Sequence, residues 1–264
     1  MKHRPPRLGS LDPESHLRDP SRKQRYVNVL FDTIAPSYDR FTRWFSFGMD
    51  RRWKTRLARW AAEGLAAGDV VVDLACGTGD LGQAVERLSG SAVRVVGLDP
   101  SPEMLRFARV RTGTAKRSTA QPANRLIRAD MLAIPLRSGA AAVVTVGYGF
   151  RNVPDLAGAL GEVRRVLRPG GRLVSLDFFV PERVPWRGVF LWYLRRAGRL
   201  VGRWWHGEPE AYGYIARSLE TWLTPTQFAG ALAHAGFVVR RVDRRLGGGV
   251  GLHEGILHEI LLPS

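Results

Sequence analysis

Residues 70–80, VVVDLACGTGD, decide the fold of this 264-residue chain. A β-branched run that ends in a glycine-rich turn and opens a helix is the turn with which an α/β sheet receives a nucleotide-like ligand. Gly77, Gly79 and Gly82 fit the pattern G-x-G-x-x-G, and Asp99 follows Gly79 by 20 residues, where an acid typically binds a ribose hydroxyl. Taken alone, the pattern indicates a dinucleotide.

The acidic residues of the same region argue against a dinucleotide. Asp80 stands at the helix N-terminus that would have to receive a pyrophosphate, and its carboxylate would repel that group. Asp73, Asp99 and Asp130 each end or follow a predicted strand, and we expect no lysine or arginine beside them. Such a site favours a phosphate-free cation that carries a ribose diol, and S-adenosylmethionine is a cofactor of that kind. An ordinary glycine-rich turn with acidic helix caps is the alternative that needs no ligand.

Length and composition predict a single cytoplasmic α/β domain. A chain of 264 residues is long enough for one large core. No apolar run approaches the roughly 20 residues that span a bilayer, and the N-terminus has no apolar signal segment, so we expect a protein that is neither integral nor secreted. Cys76 is the only cysteine, so no intrachain disulfide can form and a reducing compartment is expected.

The net charge of +16 is compatible with binding to a nucleic acid, with binding to an anionic membrane surface, or with neither. Only four of the 40 basic residues are lysines, which is typical of proteins from GC-rich genomes. The positions of the arginines are therefore more informative than their number.

The hydropathy pattern divides the chain into an arm, a cap and an α/β core. Residues 1–25 are rich in proline and charge and predict a disordered basic arm, whereas residues 26–264 predict one domain. Residues 26–66 show two helical patterns, separated by the aromatic stretch 42–48, and predict a helical cap. From residue 70 onward, alternating strands and helices predict a doubly wound, mostly parallel, seven-stranded Rossmann-like sheet that a C-terminal antiparallel hairpin closes. The predicted strands are 70–74, 93–98, 126–129, 141–146, 172–179, 237–243 and 252–261, and the predicted core helices are 81–88, 102–111, 155–167 and 225–235.

A helical insertion, residues 181–223, follows the fifth strand and contains the basic and aromatic segment 189–205. Projected at ~100° per residue, its arginines fall on one side and its apolar residues on the other. This pattern is typical of a helix that lies in a membrane interface. A lid helix packed on the sheet is the alternative, and the two coexist if the lid opens at a lipid surface. The basic side holds Arg195, Arg196, Arg199 and Arg203, and the other holds Phe190, Tyr193, Leu194, Ala197, Leu200, Val201, Trp204 and Trp205.

Three further segments narrow the class of protein. The spacing Asp-x-x-x-Gly-x-Gly at residues 73–79 is the pattern of class I S-adenosylmethionine-dependent methyltransferases. Residues 31–39, FDTIAPSYD, with SFGM at 46–49 and Trp53, resemble the N-terminal signature of the ubiquinone/menaquinone biosynthesis C-methyltransferase family. GYGFRNVPD at 147–155 and RVLRPGGRL at 165–173 resemble two later segments of the same family. The resemblance runs in order from about Phe31 to about Gly255.

The chain also departs from the pattern of that family on the substrate side. Phe41 and Thr42 stand where the family usually has Met-Asn, Asp50 where it has His, Asp177 where it has Glu, and Phe179 where it has Ser. In addition, Gly147 replaces a small hydroxyl residue. These differences leave the cofactor side intact and the identity of the acceptor open.

The resemblance implies S-adenosylmethionine-dependent C-methylation of a prenylated hydroquinone, either demethylmenaquinol or a ubiquinol precursor. A methyltransferase for another small lipophilic substrate, or a cofactor-binding homologue without turnover, is the alternative. We expect no nucleic-acid partner, because no Asn/Asp-Pro-Pro-aromatic motif follows the fourth strand and no RNA-binding module is added. Contact with an anionic membrane and a homodimer are left open.

The cofactor residues are assigned by their positions at strand ends. Gly77, Thr78 and Gly79 are predicted to hold the methionine part, Asp99 the ribose diol, and Asp130 with Met131 the adenine. Two further residues complete the set: Tyr38, which closes over the methionyl end or packs within the cap, and Gly147. No metal ligands are predicted.

The resemblance implies that the catalytic residues are Arg151 and Asn152. Arg151 would stabilise the developing phenolate, directly or through a water, and Asn152 would orient that oxygen. The alternatives are that Arg151 pairs with Asp155 or with an acid of the cap, and that Asn152 caps the next helix. Substrate contacts are predicted for Tyr148, Phe150 and His253, the last being either a residue of the pocket rim or a structural histidine.

Overall fold

The computed structural model describes residues 20–90, 93–114, 125–205, 217–219 and 221–258. A helical cap precedes a core in which strands and helices alternate. The cap consists of α1 (Pro20–Ile34), a 3₁₀ turn (Ala35–Ser37), α2 (Tyr38–Phe45) and α3 (Asp50–Ala62). The strands are β1 (Val70–Leu74), β2 (Arg94–Asp99), β3 (Arg125–Arg128), β4 (Ala141–Gly147), β5 (Leu167–Phe178), β6 (Phe237–Arg245) and β7 (Val250–Leu257). The core helices are α4 (Asp80–Ser89), α5 (Pro102–Thr114), α6 (Leu156–Val166), α7 (Val184–Trp205) and α8 (Pro225–His234).

The described strands form one seven-stranded sheet in the order β3-β2-β1-β4-β5-β7-β6. Neighbours from β3 to β5 are parallel, whereas β7 runs antiparallel to both β5 and β6. The predicted doubly wound sheet with a closing hairpin is confirmed. The order changes direction between β1 and β4, so the loops after these two strands diverge and open a crevice there.

Several predicted boundaries need correction. The helix predicted over 155–167 ends at Val166, because Leu167 already pairs with Ala141 as the first residue of β5. Residues 20–25 of the predicted arm belong to α1, and residues 1–19 lie outside the described residues. The aromatic stretch 42–48 was predicted to lie between two helices, but its first four residues belong to α2, which extends to Phe45. The last strand ends at Leu257, and residues 259–261 of its predicted span lie outside the described part.

The strands alternate their side chains between two apolar layers. Val71 of β1 belongs to the same buried cluster as Leu57 of α3, on the side of the cap. Val72 belongs to the opposite cluster, with Leu160 and Val163 of α6. Both faces of β1 are therefore covered, as expected of a strand in a parallel sheet.

Helix α7, in the insertion after β5, packs on the protein body through part of its predicted aromatic face. Phe190 and Leu194 are buried, and a Cβ on Gly249 would come within 2.5 Å of the Phe190 ring. Val189 and Trp192, which the projection did not place on the apolar face, are exposed. The described side chains of this helix thus pack in part on the protein body, and a role as a lid stays a prediction. Side chains from residue 197 onward lie outside the described ones. Among the described residues, the helices are too short or too polar to cross a membrane.

A buried carboxylate joins the sheet to the end of the cap. Glu254 of β7 accepts hydrogen bonds from Arg172 of β5 at 2.9 Å and from Arg241 of β6 at 2.6 Å, and it is fully buried. The Arg172 guanidinium also donates to the carbonyl oxygens of Trp60 and Ala61, in the last turn of α3. These ionic contacts bind carbonyl groups at the end of α3 that have no partner within the helix. They also hold the cap against β5, β6 and β7.

We expect Glu254→Ala to lower the free energy of unfolding by about 3–5 kcal/mol, because it leaves the Arg172 guanidinium buried without its carboxylate. Urea denaturation measures the change. The control is Glu103→Ala, which removes the exposed ion pair with Arg106 and should cost less than about 1 kcal/mol. Equal losses for the two variants would contradict the structural role of Glu254.

Candidate active site

A cleft of about 690 Å³ lies at the carboxyl ends of β1, β2 and β4, beneath α1 of the cap. The walls combine strand-end loops with one face of α1, so neither the core nor the cap forms the cleft alone. The lining residues are Gln24, Val27, Asn28, Phe31, Tyr38, Leu74, Ala75, Gly77, Leu98, Asp99, Pro100, Ser101, Met104, Ala129, Asp130, Met131, Gly147, Tyr148, Gly149, Asn152 and Val153.

Asp99 fixes the floor of the cleft. Its carboxylate accepts a hydrogen bond from the Gly77 N–H at 2.8 Å and another from the Ser101 N–H at 2.9 Å. Burial raises the pKa of Asp99 to about 6, although these two N–H donors favour the charged form. The carboxylate has lone pairs left for further donors, which is the chemistry that a ribose diol requires.

Asp130 and Met131 lie at the far end of the same cleft. One carboxylate oxygen of Asp130 accepts from the Leu132 N–H at 2.9 Å, which holds the side chain in place after β3. Met131 is buried against the apolar cluster on the side of α6. This arrangement offers an acceptor beside an apolar wall, which suits an aromatic ring with an exocyclic amine.

The glycine-rich turn has two different functions. Gly77 lines the cleft with a φ of +53°, a backbone conformation that other residues rarely adopt. Gly79 has a φ of +78° and precedes α4, where a Cβ would lie 3.3 Å from the Cβ of Ala108 in α5. Gly79 is outside the lining of both cavities and packs closely against α5, and its contact with the cofactor stays a prediction.

A second cavity, of about 310 Å³, adjoins the cleft at the turn after β1. Both cavities are lined by Tyr38, Ala75, Gly77 and Gly147, so they are immediate neighbours. Burial raises the pKa of Tyr38 to about 12, so the phenol stays neutral. The remaining residues of the second cavity are Lys54, Asp73, Cys76, Thr78, Asp80 and Leu81.

The expectation that no basic residue lies near these acids is wrong. The Lys54 ammonium is 2.8 Å from Asp80 and 3.1 Å from Asp50. Burial alone would lower the pKa of Lys54, but Asp80 and Asp50 more than reverse this and raise it above its usual value. Asp73 is buried and accepts from the Thr145 hydroxyl at 2.8 Å, so it supports the turn. The acidic ring is therefore partly neutralised by the cap.

Each cap helix sends charged side chains to the strand-end loops. In α1, Lys23 donates to the carbonyl oxygen of Val153 at 2.8 Å, and Asp32 accepts from the Ser101 hydroxyl at 2.5 Å. In α2, Asp39 accepts from the Thr78 hydroxyl at 2.8 Å, which ties Thr78 to the cap. These contacts hold the cap over the cleft.

Arg151 and Asn152 follow β4 in a short 3₁₀ turn and point in different directions. The Arg151 guanidinium donates to Asp177 at 3.0 Å and to Ser218 at 3.1 Å, and it is buried outside the lining of the cleft. The acidic partner of Arg151 is therefore Asp177. It is not Asp155 or an acid of the cap, which were the partners considered from the sequence. Asn152 does line the cleft, and its amide donates to the Tyr148 carbonyl oxygen at 2.9 Å. Asp155, rather than Asn152, caps α6.

Of the three predicted substrate contacts, Tyr148 alone lines the cleft. Its hydroxyl donates to Asp50 at 2.8 Å, and its ring stacks on Phe178. Phe150 is fully buried and packs against Phe228, so it is a core residue. The placement of His253 at the pocket rim is also wrong, because its ring is fully buried among aromatic residues with Nε2 3.0 Å from the Pro225 carbonyl oxygen. Burial lowers the pKa of His253 to about 4, which leaves the ring neutral.

The site residues that sequence reasoning missed lie mostly in the cap. Gln24 and Asn28 line the cleft, and Lys23, Asp39 and Lys54 bind its loops. A signal for two of them was present in the composition. In a chain with four lysines, Lys23 and Lys54 were candidates for positions where arginine does not fit.

The residues present fit S-adenosylmethionine. The floor offers the buried Asp99 carboxylate, the far end the Asp130 acceptor, and the other end a cavity with both acidic and basic groups. A Cβ on Gly149 would come within 2.9 Å of Ala75 and Val146, so the wall that faces the turn requires glycine. In the described part of the chain, histidine, cysteine and acidic side chains form no group of three that could hold a metal ion. The fold and the site define an S-adenosylmethionine-dependent methyltransferase.

Comparison with known proteins agrees with this class. The profile of the ubiE/COQ5 methyltransferase family matches residues 20–257. The chain is 40% identical to a demethylmenaquinone methyltransferase of Thermus thermophilus over 211 residues, covering 80% of this chain and 92% of the relative. It is 37% identical to a 2-phytyl-1,4-naphtoquinone methyltransferase of Trichormus variabilis over 199 residues, covering 74% and 82%. The chain belongs to the ubiE/COQ5 methyltransferase family.

Solved structures support the same fold. A SAM-dependent methyltransferase from Aquifex aeolicus superposes with a TM-score of 0.52 at 18% identity, covering 94% of this chain and 99% of that one. Geranyl diphosphate C-methyltransferase from Streptomyces coelicolor A3(2), in complex with S-adenosyl-L-homocysteine, superposes with a TM-score of 0.57 at 16% identity, covering 78% and 79%. At these identities the likeness concerns the fold.

We expect Asp130→Asn to weaken the binding of S-adenosylhomocysteine roughly 10- to 100-fold, because an N–H would replace the carboxylate acceptor beside the adenine amine. The asparagine oxygen can still accept from the Leu132 N–H, so the melting temperature should not change. Calorimetry measures the dissociation constant. S-inosylhomocysteine, in which an oxo group replaces the amine, is the matched ligand and should lose no affinity. Equal losses for both ligands would rule out the adenine contact.

Proposed function

We propose that this enzyme transfers the methyl group of S-adenosylmethionine to a ring carbon of demethylmenaquinol, a naphthoquinol with a prenyl tail. The observation that carries the proposal is that Tyr148, Gly149 and Asn152 line the cleft directly after β4, the strand next to the one that precedes the glycine-rich turn. The names of the relatives support the same acceptor, since they denote naphthoquinones with a prenyl or phytyl substituent.

The reaction demands positioning more than acid–base power. A ring carbon is a poor nucleophile until the neighbouring hydroxyl loses its proton, after which the phenolate places charge on the carbon beside it. When bound, S-adenosylmethionine supplies an electrophilic methyl group on its sulfonium. Alignment of donor and acceptor can contribute up to ~7–11 kcal/mol. A cap that excludes water strengthens each electrostatic contact within the site.

The two predicted catalytic residues take different parts in this proposal. Asn152 lines the cleft and orients the quinol oxygen, while its amide stays fixed by the Tyr148 carbonyl oxygen. Arg151 lies behind the wall, where Asp177 and Ser218 bind its guanidinium. We therefore propose that Arg151 is a positioning residue that holds the 3₁₀ turn, rather than a direct contact of the phenolate.

The test supplies purified enzyme and methyl-labelled S-adenosylmethionine with a lipid extract from a strain in which quinone methylation is blocked. We expect the label in menaquinol, identified by its mass, since the acceptor is a naphthoquinol. An extract that contains only the demethylated ubiquinol precursor should be labelled much less. Label in another lipid, or binding of the donor without transfer to any extract, would contradict the proposal.

We further propose that the enzyme takes up this acceptor at an anionic membrane surface. Phe47, 74% exposed after α2, stacks on Tyr193 of α7 with ring centroids 5.9 Å apart. Trp44 beside it and Trp192 on α7, 58% exposed, extend the aromatic surface. The Arg196 guanidinium lies 5.6 Å from the Trp192 ring. Aromatic side chains bordered by arginine are typical of a surface that binds the headgroup region of anionic lipids.

We expect the protein to sediment with vesicles that contain phosphatidylglycerol and to stay in solution with neutral phosphatidylcholine vesicles. Phe47→Asn with Trp192→Gln should weaken the anionic binding several-fold, since two interfacial aromatic rings are lost. Asparagine suits the φ of +50° at residue 47. Val110→Ser, an exposed apolar residue of α5, is the matched control. Equal binding to both vesicle types, or none, would refute the membrane surface.

A further inference from the structure

The second cavity holds a charged group that the proposed methyl transfer does not use. Lys54 belongs to α3 of the cap, yet its ammonium lies among core residues of the turn after β1. Its side chain is 11% exposed, so the charge has been moved out of water. Burial of an ammonium costs free energy unless acceptors bind its N–H donors. The acceptors that the protein supplies therefore determine which donors remain for a ligand.

The partners of Lys54 leave part of its donor capacity for a ligand. An ammonium has three N–H donors. Within the described residues, Asp80 at 2.8 Å and Asp50 at 3.1 Å take two of them. The Tyr148 ring lies 5.5 Å away and adds a cation–π contact rather than an acceptor. One donor is therefore available in a cavity that also contains Gly77 and Gly147.

Asp50 and Asp80 differ in how many of their carboxylate oxygens are bound by other groups of the protein. Asp50 is buried and also accepts from the Tyr148 hydroxyl, so both of its oxygens serve internal contacts. The Asp80 side chain is 34% exposed and pairs with Lys54 through one oxygen. The cavity thus presents an acid and an ammonium side by side, which complements a group that carries both charges.

We propose that Lys54 binds the α-carboxylate of the methionine part of S-adenosylmethionine, while Asp80 faces the α-ammonium of the same group. The inference deepens the cofactor site and depends on the methyl donor, not on the quinol acceptor. Because Lys54 belongs to the cap and Asp80 to the core, the amino-acid end of the donor would bridge the two parts. Lys54 thereby acts as a binding residue in addition to linking α3 with α4.

A cycle of two proteins and two ligands tests the contact. The ligands are S-adenosylmethionine and its decarboxylated form, which keeps the sulfonium and the amine and lacks only the carboxylate. We expect wild-type protein to prefer the complete ligand roughly 10- to 100-fold, as a charge-assisted hydrogen bond warrants. In Lys54→Met the ratio of the two dissociation constants, measured by calorimetry, should fall to about one.

The controls separate this contact from a structural role. Arg56→Met replaces another basic residue of the same helix, one that pairs with Asp243, and should keep the wild-type ratio. If Lys54→Met does not fold, Lys54→Gln provides the reading, since its amide can still donate to Asp50 or Asp80. An unchanged ratio in the folded Lys54 variant would overturn the proposal, even if both ligands bound more weakly. This result does not depend on whether demethylmenaquinol is methylated.

Discussion

The hydrogen bond from the Gly77 N–H to the Asp99 carboxylate is the contact on which the site depends. It joins the turns after β1 and β2, together with the hydrogen bond from the Cys76 N–H to the Leu98 carbonyl oxygen at 3.0 Å. The other oxygen of Asp99 accepts from the Ser101 N–H, and the Ser101 hydroxyl donates to Asp32 of α1. One chain of hydrogen bonds thus fixes the cofactor turn, the floor of the cleft and the position of the cap.

The cap completes the site because it brings charged side chains to the strand-end loops. Lys54 offsets the acids around the turn, Asp50 holds Tyr148, and Lys23 binds the carbonyl groups of the loop after β4. These links hold the cap against the strand-end loops that line the cleft. The exposed Phe47 and the ring of Tyr193 stack on each other where the cap meets α7.

The sequence predicted the sheet well, because strand alternation is a local property. Val71 and Val72 pack in opposite layers as the run of valines requires, and Asp99 and Asp130 fall at strand ends in the cleft. Contacts between distant residues were not predictable in the same way. Arg151 pairs with Asp177 26 residues away, and Lys54 reaches Asp80 from the cap. His253 resembled a rim position, but its neighbours Phe179 and Phe228 place it in the core.

A crystal structure with S-adenosylhomocysteine would show whether one site under the cap receives the methyl donor. We expect adenosine between Asp99 and Asp130, and the amino-acid end beside Gly77 and Gly147 beneath Tyr38. We also expect Asp32 to keep its hydrogen bond with Ser101 in the complex. Density for the ligand outside the cleft, or a bound state in which α1 and α2 have left the strand-end loops, would contradict this expectation.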